Sequence, residues 1–392
     1  MYNLKFFVVG VVLFIVAMAI GNSGQVGLAQ PQACTMTLNP NQSLQAAIDQ
    51  VTDGAVICLL AATYQENILV RRSLTLRGAG QEQTFIKGQD QKRGKAVLDI
   101  DGLSEIPVVL EGLVVSQGRG SLGDGVRIDG KAIVALNNSK ISANDGVGLR
   151  ILGSAQAVLS NSLVSSNDLG GLIVTGSARV GLTNTQVSEN HGIGLQAAGS
   201  ARLVLADSQV SESGLAGLRV FENADIGLSN TQVINNRGEG FVVLDSASVR
   251  LANSRITGNK FFAGLIAFGA AQVSLFSSQI SGNPGIDGLR VENSASVEVR
   301  NSVVENNGAN GVLVKDNAKL GLTDSVIRNQ AEWGLTALLK QCGFSFDGFT
   351  GQVSFEGANI IEGNNKSGTQ NSKGNPGNHP FKGLPDGQVC LP

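Results

Sequence analysis

Charge is scarce in this 392-residue chain. Lys, Arg, Asp and Glu make up 15% of it, and 29 basic against 31 acidic residues leave a formal net charge of −2. A nucleic-acid partner usually demands a basic footprint, so none is expected. Aromatic residues are only 5%, with one Trp and two Tyr, which excludes a thick globular core built on large rings. Two His and three Met, none of the Met within the repeats described below, leave few soft ligands for a transition metal. No apolar run after residue 20 is long enough to cross a bilayer, so no membrane span is expected once the leader is removed.

What the chain has in quantity is glycine, 51 residues, suited to tight and regular turns. Its N-terminus has the form of an export signal: Lys5, an apolar run from Phe6 to Ile20, and small residues up to Ala29 in "VGLAQ". The expected division is a signal peptide at 1–29 and a mature domain from Gln30. An uncleaved anchor is the alternative. Cys34, Cys58, Cys342 and Cys390 fall two near each end of that domain. In an exported chain this suggests two disulfides. End-to-end pairings would need distant termini to meet, so Cys34–Cys58 and Cys342–Cys390 are expected. The implied location is secreted, periplasmic or cell-surface.

A glycine followed by an apolar residue recurs at Gly125, Gly148, Gly171, Gly194, Gly217, Gly240, Gly264, Gly288, Gly311 and Gly334, at intervals of 23 or 24. Such a period marks a solenoid. Within a unit the apolar residues alternate, as in Leu149 and Ile151, then Ala155, Ala157 and Leu159, then Val164. Period two means strands. Three short strands per unit describe one coil of a parallel β-helix, with neighbouring coils about 4.8 Å apart. A polar column, Asn138, Asn161, Asn184, Asp207, Asn230, Asn253, Ser277, Asn301 and Asp324, is expected at a bend, stacked amide on amide.

The opening segment "SLQAAIDQVTDGAVICLLAATYQENILVRRSLTLRGAGQEQTFIKG" (Ser43–Gly88) resembles the start of the right-handed parallel β-helix, or pectin-lyase-like, superfamily. The resemblance implies an all-β solenoid whose open N-terminal end is capped by a short helix, "LQAAID". The expected layout is an N-terminal cap at 30–60, coils over 61–340, and last coils with a disulfide-closed cap at 341–392. It also implies that any site lies on the outer face of one sheet, where side chains from neighbouring coils converge on a polyuronate. No strand-borne motif typical of pectin methylesterases or pectate lyases appears on the later coils, so no catalytic residue carries over.

Sites must therefore be sought in columns. The outward column two residues after each glycine includes Arg127, Arg150 and Arg219, and the next includes Phe221 and Phe268. Neither column is expected to hold paired carboxylates on adjacent coils. In the preceding turn Asp145, Asp168, His191 and Arg237 share one position. Asp145 and Asp168 are close enough to share a proton or a calcium ion, and His191 beside Asp168 could act as a base. No other metal and no cofactor is expected. Phe221 and Phe268 lie on a face with Ile173, Val242, Leu244 and Ile266, and an exposed apolar face usually means an interface. The expectation is a non-catalytic protein binding a polysaccharide or a surface partner along one sheet, with Arg127, Arg150, Arg219, Arg237, Phe221 and Phe268 as binding residues. The alternative is a lyase, epimerase or hydrolase acting on an acidic polysaccharide, with Asp145, Asp168 and His191 as its catalytic candidates. Composition leaves the oligomeric state open.

Overall fold

Each repeat folds as three short strands separated by three corners. One coil comprises Val147–Ile151, Gln156–Ser160 and Leu163–Ser165. Every strand pairs in parallel with its counterpart in the next coil: Leu149 with Leu172, Leu159 with Leu182, Val164 with Val187. The protein is thus an all-β parallel solenoid with coils of about 23 residues. We call the sheets of the Gln156, Val147 and Leu163 strands sheets 1, 2 and 3. This computed structural model describes residues 32–89, 94–102, 105–366, 379–381, 384–385 and 387–392, and the leader assigned to 1–29 lies outside them. The chain forms two compact units, one ending at Gln209 and one beginning at Val210. The same three sheets recur in the second, where Leu251 pairs with Leu275, Leu265 with Leu289 and Ile256 with Ile280.

Alternation decides the core. Leu149, Ile151, Leu159 and Val164 point inward and are fully buried, as are Leu251, Leu265 and Ile256. Each such side chain contributes roughly 1.5–3 kcal/mol through burial. Corners explain the polar column. Asn138, Asn161, Asn184 and Asp207 all sit at φ between 47° and 50°, as do their counterparts from Asn230 to Asp324. Asn and Asp tolerate this left-handed region better than most residues. An amide bond does run along the column, from Asn184 Nδ2 to Asn161 Oδ1 at 2.7 Å.

A longer amide ladder lies elsewhere, four positions before most of the repeating glycines, inside the solenoid. Asn144 Nδ2 donates to Asn167 Oδ1 at 2.8 Å and Asn167 Nδ2 to Asn190 Oδ1 at 2.9 Å. In the second unit Asn236, Asn259, Asn283 and Asn307 form the same chain and pass it to Gln330. This ladder is the reason for the glycines. A Cβ on Gly148 would lie 2.5 Å from Asn167 Nδ2 and 2.6 Å from Val164 Cγ1. At Ser213 the pattern is interrupted: its buried hydroxyl oxygen has no hydrogen-bond partner.

Both ends are closed. Helix α1 (Leu44–Gln50) is capped by Ser43 and buries Leu44, Ala47 and Ile48. Its Gln45 amide bonds both the N–H and the carbonyl of Leu69, satisfying the free edge of the first sheet 2 strand, Ile68–Val70. Cys34 is bonded to Cys58, and Cys342 to Cys390. At the far end Gln352–Glu356, Ile360–Glu362 and Val389–Cys390 are the final strands of the three sheets. There buried Trp333 donates its indole N–H to the Cys342 carbonyl at 3.1 Å. Among the described residues no helix is long and apolar enough to cross a membrane.

Candidate functional site

The outer face of sheet 2 differs between the two units. In the first, the strands from Leu98 to Ile151 make it charged, while the later coils present Ile173 and Gln196. Leu98–Gly102 and Val126–Gly130 run side by side, with Asp99 beside Arg127 and Asp101 beside Asp129, and Arg127 is in register with Arg150. Paired carboxylates on adjacent coils therefore exist, contrary to the sequence reading, one coil before its first glycine. Arg127 Nη2 meets Asp129 Oδ2 at 2.9 Å, and Arg71 Nη2 meets Asp101 Oδ2 at 3.4 Å. Arg150 is held by both oxygens of buried Asp124, at 2.6 and 3.1 Å, while Asp124 also accepts the Val147 N–H. Burial raises the pKa of Asp99. Arg127 and Arg71 oppose the rise, and Asp101 and Asp129 add to it.

The turn column also belongs to the first unit. His191 Nδ1 lies 2.9 Å from Asp168 Oδ1, and this pair stands out in solvent, with side-chain exposures of 73% and 54%. Asp145 turns to the preceding coil, accepting the Gly120 N–H at 2.8 Å and lying 3.8 Å from Arg119. Asp168 is thus brought to His191, while Asp145 is engaged by a different loop. Among the described residues no three His, Cys, Asp or Glu side chains gather into a metal-binding group.

In the second unit the same face is apolar. Arg219, Val242 and Ile266 are in register, and the next outward positions are Phe221, Leu244 and Phe268. These apolar side chains are half-buried, with Phe268 41% and neighbouring Phe261 61% exposed. Charges frame the patch. The Arg219 guanidinium lies 5.8 Å from the Phe221 ring centre, and that of Arg290 lies 4.4 Å from Phe262, both within cation–π range. Arg290 pairs with Glu292, which also takes Lys315 at 2.8 Å. Arg290 further contacts Asp287 at 3.3 Å, and Asn310 Nδ2 donates to Asp287 at 2.8 Å. Asp287 is fully buried, and that burial pushes its pKa up to about 6 against the pull of Asn310 and Arg290. Arg237 is exposed in a turn, its N–H donating to the Ser213 carbonyl.

The sequence profile described as "Right handed beta helix region" matches residues 124–275 and 262–360, more than half of the chain. The chain belongs to the right-handed β-helix family. No curated protein matches it by sequence. Among solved structures, this β-helix is similar to the A-module of mannuronan C-5 epimerase AlgE6 from Azotobacter vinelandii. The two share 18% identity over 81% of this chain and 93% of that one, with a TM-score of 0.62. It is also similar to the periplasmic alginate epimerase AlgG (12% identity, 82% and 83% covered, TM-score 0.60) and to the Agl-KA catalytic domain (10%, 86% and 70%, 0.56). At such identities the likeness is one of fold.

Sequence reasoning missed Asp99, Asp101, Asp124 and Asp287. The first two escape because the coil holding them lacks the repeating glycine and lies 28 residues, not 23, from its successor. The other two left a signal in this β-helix: both immediately precede a repeating glycine, in "DG" pairs at 124–125 and 287–288.

Proposed function

We propose that this β-helix is an exported protein that binds an acidic polysaccharide along the outer face of sheet 2 without turning it over. One observation carries the reading. Neighbouring coils of the second unit present Phe221, Leu244 and Phe268 beside Arg219, Val242 and Ile266, with Arg290 and Lys315 beyond. The flat rings of Phe221 and Phe268 accept the faces of sugar rings, and Arg219 beside Phe221 attracts a carboxylate, while Arg290 and Lys315 are already held by Glu292. In the first unit Arg127 and Arg150 belong to the same face, each already held by a carboxylate. Two mannuronan- and alginate-modifying enzymes among the neighbours support a carbohydrate ligand. Disulfides at both ends and the apolar segment at 6–20 support export.

Asp99 favours a second reading, catalysis on an acidic glycan. Its carboxyl, raised by burial, holds a proton to higher pH than an ordinary Asp, beside an arginine that could take a sugar carboxylate. The test is to incubate the protein from Gln30 onward with acidic and neutral polysaccharides, with and without calcium, reading both retained protein and altered sugar. Retention without products is expected. Products that vanish in Asp99→Asn or Asp168→Asn would establish the enzymatic reading instead. Neither retention nor products would overturn both and point to a protein partner at the Phe268 face.

A further inference from the structure

In the first unit the charged face does not run on past the first strand of sheet 2, because helix α1 closes that edge through Gln45. Where helix and strand meet there is a cavity of about 900 Å³, within the range of small-ligand pockets. Asp49 and Asp53 line it on the helix side, Arg71 lines it on the strand side, Leu69 supplies apolar surface, and buried Ile48 forms its floor. Asp49 uses one carboxylate oxygen for Gln45 Nε2, and Asp53 uses one for the Ser73 N–H. The second oxygen of each has no protein partner among the described residues. Leu69 is the register partner of Asp99, which lies beside Arg127, and Arg71 reaches Asp101. The cavity is therefore the dead end of the charged column.

We propose that this cavity holds the terminal sugar of an acidic polysaccharide, so that the first unit recognises chain ends rather than chain interiors. The sugar carboxylate pairs with Arg71, sugar hydroxyls donate to Asp49 and Asp53, and the ring face rests on the half-buried Leu69. The proposal rests on the binding function above and adds a direction to it: a chain on this face can extend only away from α1.

The test uses short oligomers of polymannuronate and polygalacturonate, each in three forms: free, methylated at the reducing end, and methylated at the non-reducing end. Affinity is measured by calorimetry on the full mature chain carrying Phe268→Ala, which weakens the apolar patch of the second unit. Capping one end is expected to lower affinity about tenfold, the scale of one charge-assisted contact group. Capping the other end should leave affinity unchanged, and Arg71→Ala should abolish the difference with no change in melting temperature. Asp49→Ala provides a second, independent loss. Equal affinity for all three forms overturns the end pocket and leaves polysaccharide binding standing. Absence of binding to any form, in this chain and in the unsubstituted one, overturns both.

Discussion

The two units share one scaffold and display opposite surfaces. In the first, sheet 2 carries Asp99, Asp101, Arg127, Asp129 and Arg150 on its outside. In the second, the same columns hold an apolar stretch, Val242, Leu244, Ile266 and Phe268, flanked by Arg219 on one side and Arg290, Glu292 and Lys315 on the other. Inside, both are alike: the same aliphatic columns and the same buried Asn ladder. Inward positions are fixed by packing against the next coil, whereas outward positions meet only solvent and their neighbours on the sheet. The repeat therefore constrains half of each strand and leaves the other half to vary. Buried carboxylate–arginine pairs, Asp124–Arg150 and Asp287–Arg290, occur in both units, each drawing an outward arginine against the turn.

The likeness of the interiors can be broken most strongly at the ladder. Asn167→Ala in the first unit and Asn259→Ala in the second each remove an amide that both donates and accepts, stranding buried groups on the adjacent coils. Both should cost about 2–4 kcal/mol in denaturant unfolding. A large cost in one unit and none in the other would show that the two ladders are not equivalent.

A buried carboxyl of the second unit comes next. Asp287 titrates near 6 when folded, above its ordinary value of 3.8. Between those values the folded chain binds more protons than the unfolded one, so stability is fully present below pH 4 and falls as pH rises through 6. The loss is at most roughly 2–3 kcal/mol. Asp287→Asn should flatten this part of a melting-temperature-versus-pH curve, and a slope that survives the substitution would assign it to another group.

Polysaccharide retention tests the surfaces. Phe268→Ala should weaken binding about tenfold whatever the salt, while Arg127→Ala should lose less and only at low ionic strength. Equal salt dependence of the two losses would erase the distinction drawn between the faces. The smallest effect belongs to a corner. Ala143 sits at φ 54° and is exposed, a conformation that costs a residue with a Cβ about 1 kcal/mol. Ala143→Gly should raise stability by up to that amount, less the entropy glycine gains on unfolding.

Much of this was legible beforehand because the interior repeats. The period and the strand alternation follow from positions that recur, whereas the pairing of the cysteines follows from their placement two near each end. The ladder through Asn144, Asn167 and Asn190 recurs as well, but an Asn in a turn-rich stretch reads as a solvated corner, and only the third dimension turns it inward. The charged face was hidden for the opposite reason. Asp99 and Asp101 lie in a coil of irregular length, where column arithmetic loses its register. Nor does sequence reveal that Arg150 is held by Asp124, since the partners are 26 residues apart and neither is unusual alone.

The end caps have a consequence for lifetime. A stack whose coils touch only their neighbours frays from its termini, as a zipper opens from its ends. Here each terminus is stapled, one by Cys34–Cys58 and the other by Cys342–Cys390. Resistance to proteolysis from the ends is then governed by two covalent latches rather than by the number of coils between them. Duplicating a 23-residue coil would lengthen each sheet by about 4.8 Å without adding a new point of entry for unravelling.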